Sequence, residues 1–210
     1  MGLQLEYINF INETCALAGF QRATGLKMCE LGNQQIRKSA ALITKAKTGK
    51  EYFSSLGYDH TSIDRNGLDG ALPLDLCEPV QDPELIDQFD VLTNSGTSEH
   101  VEDEYECFKN LHSLVKQNGI FIHLNPKTGS WPRHGLYYYT FDFHRRLASQ
   151  CYYEILRETD ITLKGEQSHL VCVGLRKRAR NPFISRAEFE KIALATIFRA
   201  CGTISFSSRE

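Results

Sequence analysis

The chain has 210 residues, 41% hydrophobic, 24% charged and 10% aromatic, with Lys and Arg totalling 24 against 26 Asp and Glu and a formal net charge of −2. That balance belongs to a globular chain long enough to bury a core, and it excludes disordered, fibrous and membrane-spanning classes. The even charge also argues against nucleic acid as a partner.

The opening MGLQLEYINFINE has neither the basic n-region nor the small-residue cleavage site of a secretory signal. Seven cysteines, an odd number without a CxxC pair, read as reduced thiols, several of them inside apolar runs. A cytoplasmic protein is the expectation.

In chain order, residues 5–19 carry apolar side chains at helical spacing up to Gly19. Residues 26–31 read as a buried strand that closes on an acid and a glycine. A polar, Gln-rich stretch leads to a helix near 49–56 and a second strand over 58–64. RNGLDG then precedes a short third strand over 71–75, and a fourth strand spans 89–93. The spacing of Tyr105, Phe108, Leu111, Leu114 and Val115 predicts a helix over 102–117, stopped at Asn118-Gly119. A fifth strand follows over 120–124. An aromatic loop with Trp131 and Tyr137 to Tyr139 precedes a helix over 141–149. Strands over 152–157 and 170–175 make an antiparallel pair, and a last helix is expected over 187–199.

This alternation predicts a single α/β domain, a doubly wound and mostly parallel seven-stranded sheet with helices on both faces and an antiparallel edge. Residues 1–25 would form a helical cap, 26–175 the core and 176–210 a helical extension.

Ligands of such sheets bind outside the carboxyl ends of the strands, near the reversal of strand order. The residues there are Glu30 with Gly32, Asp64, Asp75, and Asn94 with its Ser-Gly-Thr turn. A carboxylate ending the second strand suits a ribose diol, and another beside an apolar slot suits an exocyclic amine such as that of adenine. Gly32 lets the backbone approach a ligand that a Cβ would exclude.

On these residues the chain resembles the class I S-adenosylmethionine-dependent methyltransferases over about residues 26–175. Met28-Cys29-Glu30-Leu31-Gly32-Asn33 is similar to the opening of that family's first motif, and Ser62-Ile63-Asp64 to its ribose-holding second strand. Leu72-Pro73-Leu74-Asp75-Leu76 is similar to the third motif, which flanks the adenine. Phe89-Asp90-Val91-Leu92 with Glu99-His100-Val101 resembles the fourth strand and its turn, and Leu114 to Ile120 the approach to the fifth. The resemblance implies S-adenosylmethionine as cofactor, bound by Glu30, Gly32, Asn33, Gln34, Asp64, Asp75 and Leu76, with Asn94 and Gly96 lining the methyl-transfer pocket. It implies O- or N-methylation of a small-molecule or sugar-like acceptor. The sequence departs from the family where Gln34 and Ile36 stand in place of the Gly-x-Gly that continues the first loop. A binding or scaffold module on the same fold is the alternative that this departure supports. P-loop and dinucleotide-binding classes are excluded, because GxxxxGK[ST] and GxGxxG are both missing.

A histidine near the acceptor is the natural base at neutral pH, and His100 and His134 are the candidates, with His123 read as a core residue. Glu99, His100, His123 and His134 match no compact metal-ligand spacing, so no metal is expected. Trp131 and the three tyrosines are read either as a stacking wall over the acceptor or as a strand or loop packed on the core, and the run Arg176 to Arg180 as a solvated strand end.

Overall fold

The computed structural model describes residues 2–163 and 168–199. In chain order its elements are α1 (Leu5–Leu17), β1 (Lys27–Leu31), α2 (Lys38–Thr44), α3 (Gly49–Ser55), β2 (Asp59–Ile63), β3 (Phe89–Ser95), α4 (Glu104–Leu114), β4 (Val115–Pro126), β5 (Tyr137–Tyr138), α5 (Phe141–Cys151), β6 (Tyr153–Thr162), β7 (His169–Lys177), α6 (Arg186–Thr196) and β8 (Phe198–Arg199). Short helical turns cover Leu68–Gly70 and Ser98–His100.

The main sheet has the order β2-β1-β3-β4-β7-β6, parallel from β2 to β4 and antiparallel from β4 to β6. The expected α/β architecture with an antiparallel edge is therefore present, with six strands in place of seven. The missing one is residues 71–75. Leu72 makes a single parallel bridge to Ile63, through Leu72 N–H to the Ser62 carbonyl at 2.8 Å and Asp64 N–H to the Leu72 carbonyl at 3.0 Å. Pro73 then has no N–H to extend the ladder, and Leu74 N–H turns back onto Leu72 O at 2.8 Å.

Strand residues alternate between two helical layers. Met28, Val91, Ile120, Ile122, Leu124 and Cys172 pack under α1, α2 and α3. Cys29, Leu31, Leu92, Phe121 and Val173 pack under α4 and α5. A third cluster joins α4, α5 and α6 with Tyr137 and Tyr139. Helix α1 is part of this core, burying Tyr7, Ile8, Phe10, Ile11, Thr14 and Cys15. No helix of the described residues is long and apolar enough to cross a membrane. The six cysteines among the described residues are free; Cys201 lies outside them.

Helix α4 starts on Asp103, whose carboxylate caps Glu106 N–H at 2.9 Å, and gives way at Val115 to β4. Asn118, at φ 67°, and Gly119 thus sit in an irregular start of the strand, where the β3–β4 register shifts, and do not terminate the helix. Helix α6 opens with a Ser185/Glu188 capping box and ends at Thr196, short of the expected 199, because Phe198–Arg199 pairs with Tyr137–Tyr138.

Tyr137, Tyr138 and Tyr139 are buried, which favours the core-packed reading over the stacking wall. The expectation of a solvated basic run is corrected. Lys177, inside the basic run, is buried and donates to the carbonyls of His112 and Val115 at 2.7 and 2.8 Å. Arg176 donates to Ala18 O at 2.7 Å, and Arg178 and Arg180 lie beside Glu154 and Asp87. The run is thus largely consumed in holding α1, α4 and β6 to the sheet edge.

Candidate functional site

The strand order reverses between β2-β1 and β1-β3, so the crevice of interest opens between the carboxyl ends of β1 and β3. Gly32 leaves β1 at φ 79°, a left-handed conformation that glycine adopts without strain. A Cβ there would lie 2.7 Å from Gln34 Nε2 and 2.9 Å from Thr97 Oγ1, so any other residue would be strained and would have to displace these two side chains. Its N–H donates to Ile63 O at 2.8 Å, which ties the loop to β2.

The loop wraps the end of β2 through Asp64. Asn33 N–H donates to Asp64 Oδ2 at 2.8 Å and Asn66 N–H to Oδ1 at 3.0 Å, so the half-buried carboxylate is aimed before any ligand arrives. The Asn33 side chain reaches the other way and donates to Asp69 Oδ2 at 2.7 Å. Asp75 lies further out. The Cys77 N–H that donates to its Oδ1 at 3.0 Å holds the carboxyl below its ordinary value, and Arg65 Nε stands 3.5 Å from Oδ2. Leu76 beside it is buried under the α4 layer, its carbonyl accepting from Asn110 Nδ2 at 3.2 Å.

Gln34 fills the crevice itself. It is 5% exposed, and its Nε2 donates to Leu31 O at 3.2 Å and Ser95 O at 3.1 Å, while Oε1 has no partner. Thr97 Oγ1, which the sequence reading did not single out, donates to the same Leu31 carbonyl at 2.9 Å. A carboxamide nitrogen thus bridges the two strand ends that define the switch point.

Glu30 is turned away from this crevice. As an interior strand residue on the Met28 face it points under α3, where a Cβ on Gly49 would lie 2.1 Å from its Oε1. His60 Nε2 stands 3.6 Å from Oε2, and neither carboxylate oxygen has a partner at hydrogen-bond geometry. Burial raises the Glu30 carboxyl above its ordinary value.

Asn94 is also inward. It is fully buried, accepts Ser98 N–H at 3.1 Å, and donates to Ser98 Oγ at 2.8 Å and His123 Nδ1 at 3.2 Å. His123 is a core residue as expected, its imidazole pushed down to about 3 by burial. Ser98 Oγ accepts from Asn94 and Asn125, which directs its own hydrogen to Tyr139 Oη at 3.0 Å. Gly96, at φ 73°, donates its N–H to Leu124 O at 3.1 Å. Asn94 and Gly96 therefore build the turn after β3 rather than exposing side chains on it.

What that turn presents is Glu99 and His100. His100 and His134 come together, with ring centroids 5.0 Å apart, and both Nε2 atoms face Glu99 Oε1, at 3.9 and 3.6 Å. Burial lowers the His100 imidazole from its ordinary value, leaving it neutral and able to accept a proton at pH 7. Trp131, its Nε1 donating to His169 O at 2.7 Å, lies with its ring tilted 48° to that of His134, centroids 5.0 Å apart. A separate cavity of about 720 Å³ lies between α4 and α6, lined by Tyr105, Tyr137, Arg186 and Phe189, away from the β1–β3 crevice.

The sequence matches no protein-family model and no curated protein. Solved structures do match. A Burkholderia thailandensis 1,6-didemethyltoxoflavin-N1-methyltransferase with bound S-adenosylhomocysteine superposes with a TM-score of 0.59 at 14% identity, over 81% of this chain and 79% of that one. A structure described for the conversion of a disulfide bond into a thioacetal group in echinomycin biosynthesis matches at 0.53 and 13% identity, over 92% and 88%. A [4+2]-cyclase matches at 0.53 and 12% identity, over 80% of each chain. With its parallel strands in this order and its crevice at the β1–β3 reversal, the chain has the class I S-adenosylmethionine-dependent methyltransferase fold.

Proposed function

We propose that the chain binds S-adenosylmethionine at the carboxyl ends of β1 and β2 and directs methyl transfer to oxygen or nitrogen of a small-molecule acceptor. The observation that carries this reading is the convergence of Gly32, Asp64 and the Leu31 and Ser95 carbonyls at the point where strand order reverses.

The residues fit the cofactor. The Asp64 carboxylate retains lone pairs beyond those used by Asn33 and Asn66, enough to accept a ribose diol. Asp75 and the buried Leu76 offer an acceptor and an apolar wall to adenine. Leu31 O and Ser95 O already accept from an N–H group, so the ammonium of an amino-acid moiety would replace the Gln34 carboxamide there. The displaced Gln34 carboxamide leaves the crevice, and Asn33 beside it offers its amide to the cofactor's carboxylate. Glu30 acts at a distance, as a buried strut under α3. When bound, the cofactor supplies an electrophilic methyl group on a sulfonium. The protein contributes alignment, and His100 or His134 accepts the acceptor's proton where one is lost.

A second reading, a binding module without turnover, is favoured by the same Gln34 contact, since the chain's own amide holds the crevice. The match to a cyclase is a reminder that this fold hosts other activities. Calorimetric titration with S-adenosylhomocysteine, with NAD and ATP as controls, tests both. Selective micromolar binding is expected, weakened by about 1–3 kcal/mol, roughly 5- to 150-fold, in Asp64→Ala. Absent binding overturns the first reading and leaves a scaffold or partner-binding module. Binding without methyl transfer to any of a panel of hydroxyl and amine acceptors carries the second.

A further inference from the structure

Beside the crevice, a second cluster is built from two separate segments. Glu99 and His100 form the helical turn after β3, and His134 comes from the loop between β4 and β5. The two are clamped together. Leu136 N–H donates to Glu99 O at 2.7 Å across the two segments, and within the loop His134 N–H donates to Tyr138 Oη at 2.9 Å. Gly135 passes so close that a Cβ on it would lie 2.9 Å from Glu99 Cγ and 3.0 Å from Glu99 O.

The carboxylate inside this clamp has no hydrogen-bond donor. Glu99 is fully buried, and both of its oxygens, like His134 Nε2, have no hydrogen-bond partner. Removing a carboxylate from water in this way is costly unless a positive charge compensates. The two imidazole nitrogens stand 3.6 and 3.9 Å from Oε1, too far for hydrogen bonds. They are close to the spacing of two ligands around one ion, about 3.4 Å for tetrahedral bonds of roughly 2.1 Å. All three donor atoms lie within 4.8 Å of one another. His100 is 46% exposed, which leaves it free to close the remaining gap and leaves the cluster open on one side.

We propose that Glu99, His100 and His134 bind a divalent transition-metal ion with an open coordination position. Two imidazoles and one carboxylate select a borderline ion such as Zn²⁺ over Mg²⁺ or Ca²⁺, which prefer oxygen alone. Sequence spacing hides the site, because His134 joins the other two only through the fold. The ion's use rests on the methyl-transfer reading: with the ion bound the two histidines serve as ligands in place of the base, and an open position beside the turn after β3 would hold an acceptor oxygen and lower its pKa, its proton passing to solvent.

The test is calorimetric titration of the chelator-treated full chain with ZnCl₂ and MgCl₂, and visible absorption with Co²⁺. Stoichiometric Zn²⁺ binding, a tetrahedral-type Co²⁺ spectrum and much weaker Mg²⁺ binding are expected. Glu99→Gln and His134→Ala should each weaken Zn²⁺ by at least about tenfold. His100→Ala, at a half-exposed position, should do so while leaving the circular dichroism unchanged. No Zn²⁺ binding, equal binding in the His100→Ala protein (thiol ligation elsewhere), or Mg²⁺ as tight as Zn²⁺ each overturns the proposal. S-adenosylhomocysteine titrated into the chelated protein reports separately on the cofactor reading.

Discussion

The Gln34 carboxamide donates to the Ser95 carbonyl at 3.1 Å and thereby ties the loop after β1 to the end of β3. The same nitrogen reaches Leu31 O at 3.2 Å. A ligand ammonium entering this crevice competes with the chain's own amide. Removing that competitor should strengthen binding by about one neutral hydrogen bond, up to roughly tenfold. Gln34→Ala is therefore expected to lower the Kd for S-adenosylhomocysteine. Calorimetry showing instead a tenfold or greater loss would mean that the carboxamide is itself a ligand contact.

Glu30 yields a prediction about stability rather than binding. Its buried carboxyl has no hydrogen-bond donor, and burial raises its pKa above the unfolded value. The folded chain therefore holds this proton more tightly, and the associated stability, complete below the unfolded pKa, is lost as pH rises through the folded one. Glu30→Gln keeps the shape and removes the charge. It should raise the urea midpoint at about pH 8, with the gain shrinking toward about pH 4. A variant less stable than wild type at the higher pH would show that Glu30 and His60 act as a net favourable ion pair.

How far the sequence carried the site depends on which residues face outward. β1 and β3 centre on short apolar stretches and β2 ends on Ile63 and an acid, and so the strand-end positions of Gly32, Asp64 and Gly96 were legible. Helix α2 was not, because Leu42 and Ile43 are 83% and 63% exposed and leave no amphipathic pattern. Residues 71–75 have a strand's composition, but Pro73 removes the donor that a strand needs. Alternation from Met28 would have turned Glu30 inward, a signal that the acid-x-Gly motif overrode. The inward fold of Gln34 and the meeting of His134 with Glu99 rest on contacts between distant segments, which no local pattern carries.

The packing of α1 on the sheet depends on one absent side chain. A Cβ at Gly174, in β7 between β4 and β6, would lie 2.4 Å from Thr14 Cγ2. Thr14 is fully buried and its Oγ1 donates to Phe10 O at 2.7 Å, so it has no room to rotate away. Gly174→Ala should cost about 1–3 kcal/mol, read as a lower urea midpoint. Thr14→Ala in the same chain should recover most of that loss, because it removes the clashing methyl group. Purely additive effects of the two substitutions would show that the strain lies in the strand and not against α1.

Three buried imidazoles, those of His112, His123 and His144, set the acid limit of the fold. His112 donates from Nε2 to Asn181 O at 2.7 Å, and the Nδ1 of the neutral ring accepts from Tyr153 Oη at 2.6 Å. Burial lowers it from 6.5 to about 4, helped by the charge of Lys177, and burial alone lowers His123 to about 3. Between those values and 6.5 the unfolded chain binds more protons than the folded one. Stability is therefore complete above about pH 6.5 and falls as the pH drops, through about 4 for His112 and on toward 3 for His123. The urea midpoint at about pH 5 should accordingly lie below that at about pH 7.5. His112→Gln, which cannot titrate, should flatten part of that difference while starting from a lower stability at neutral pH, since it loses the ring's packing against Tyr153 and Phe183. Equal midpoints for the wild-type chain at the two pH values would mean that these rings charge within the fold, and that His112 has a second arrangement with both nitrogens as donors.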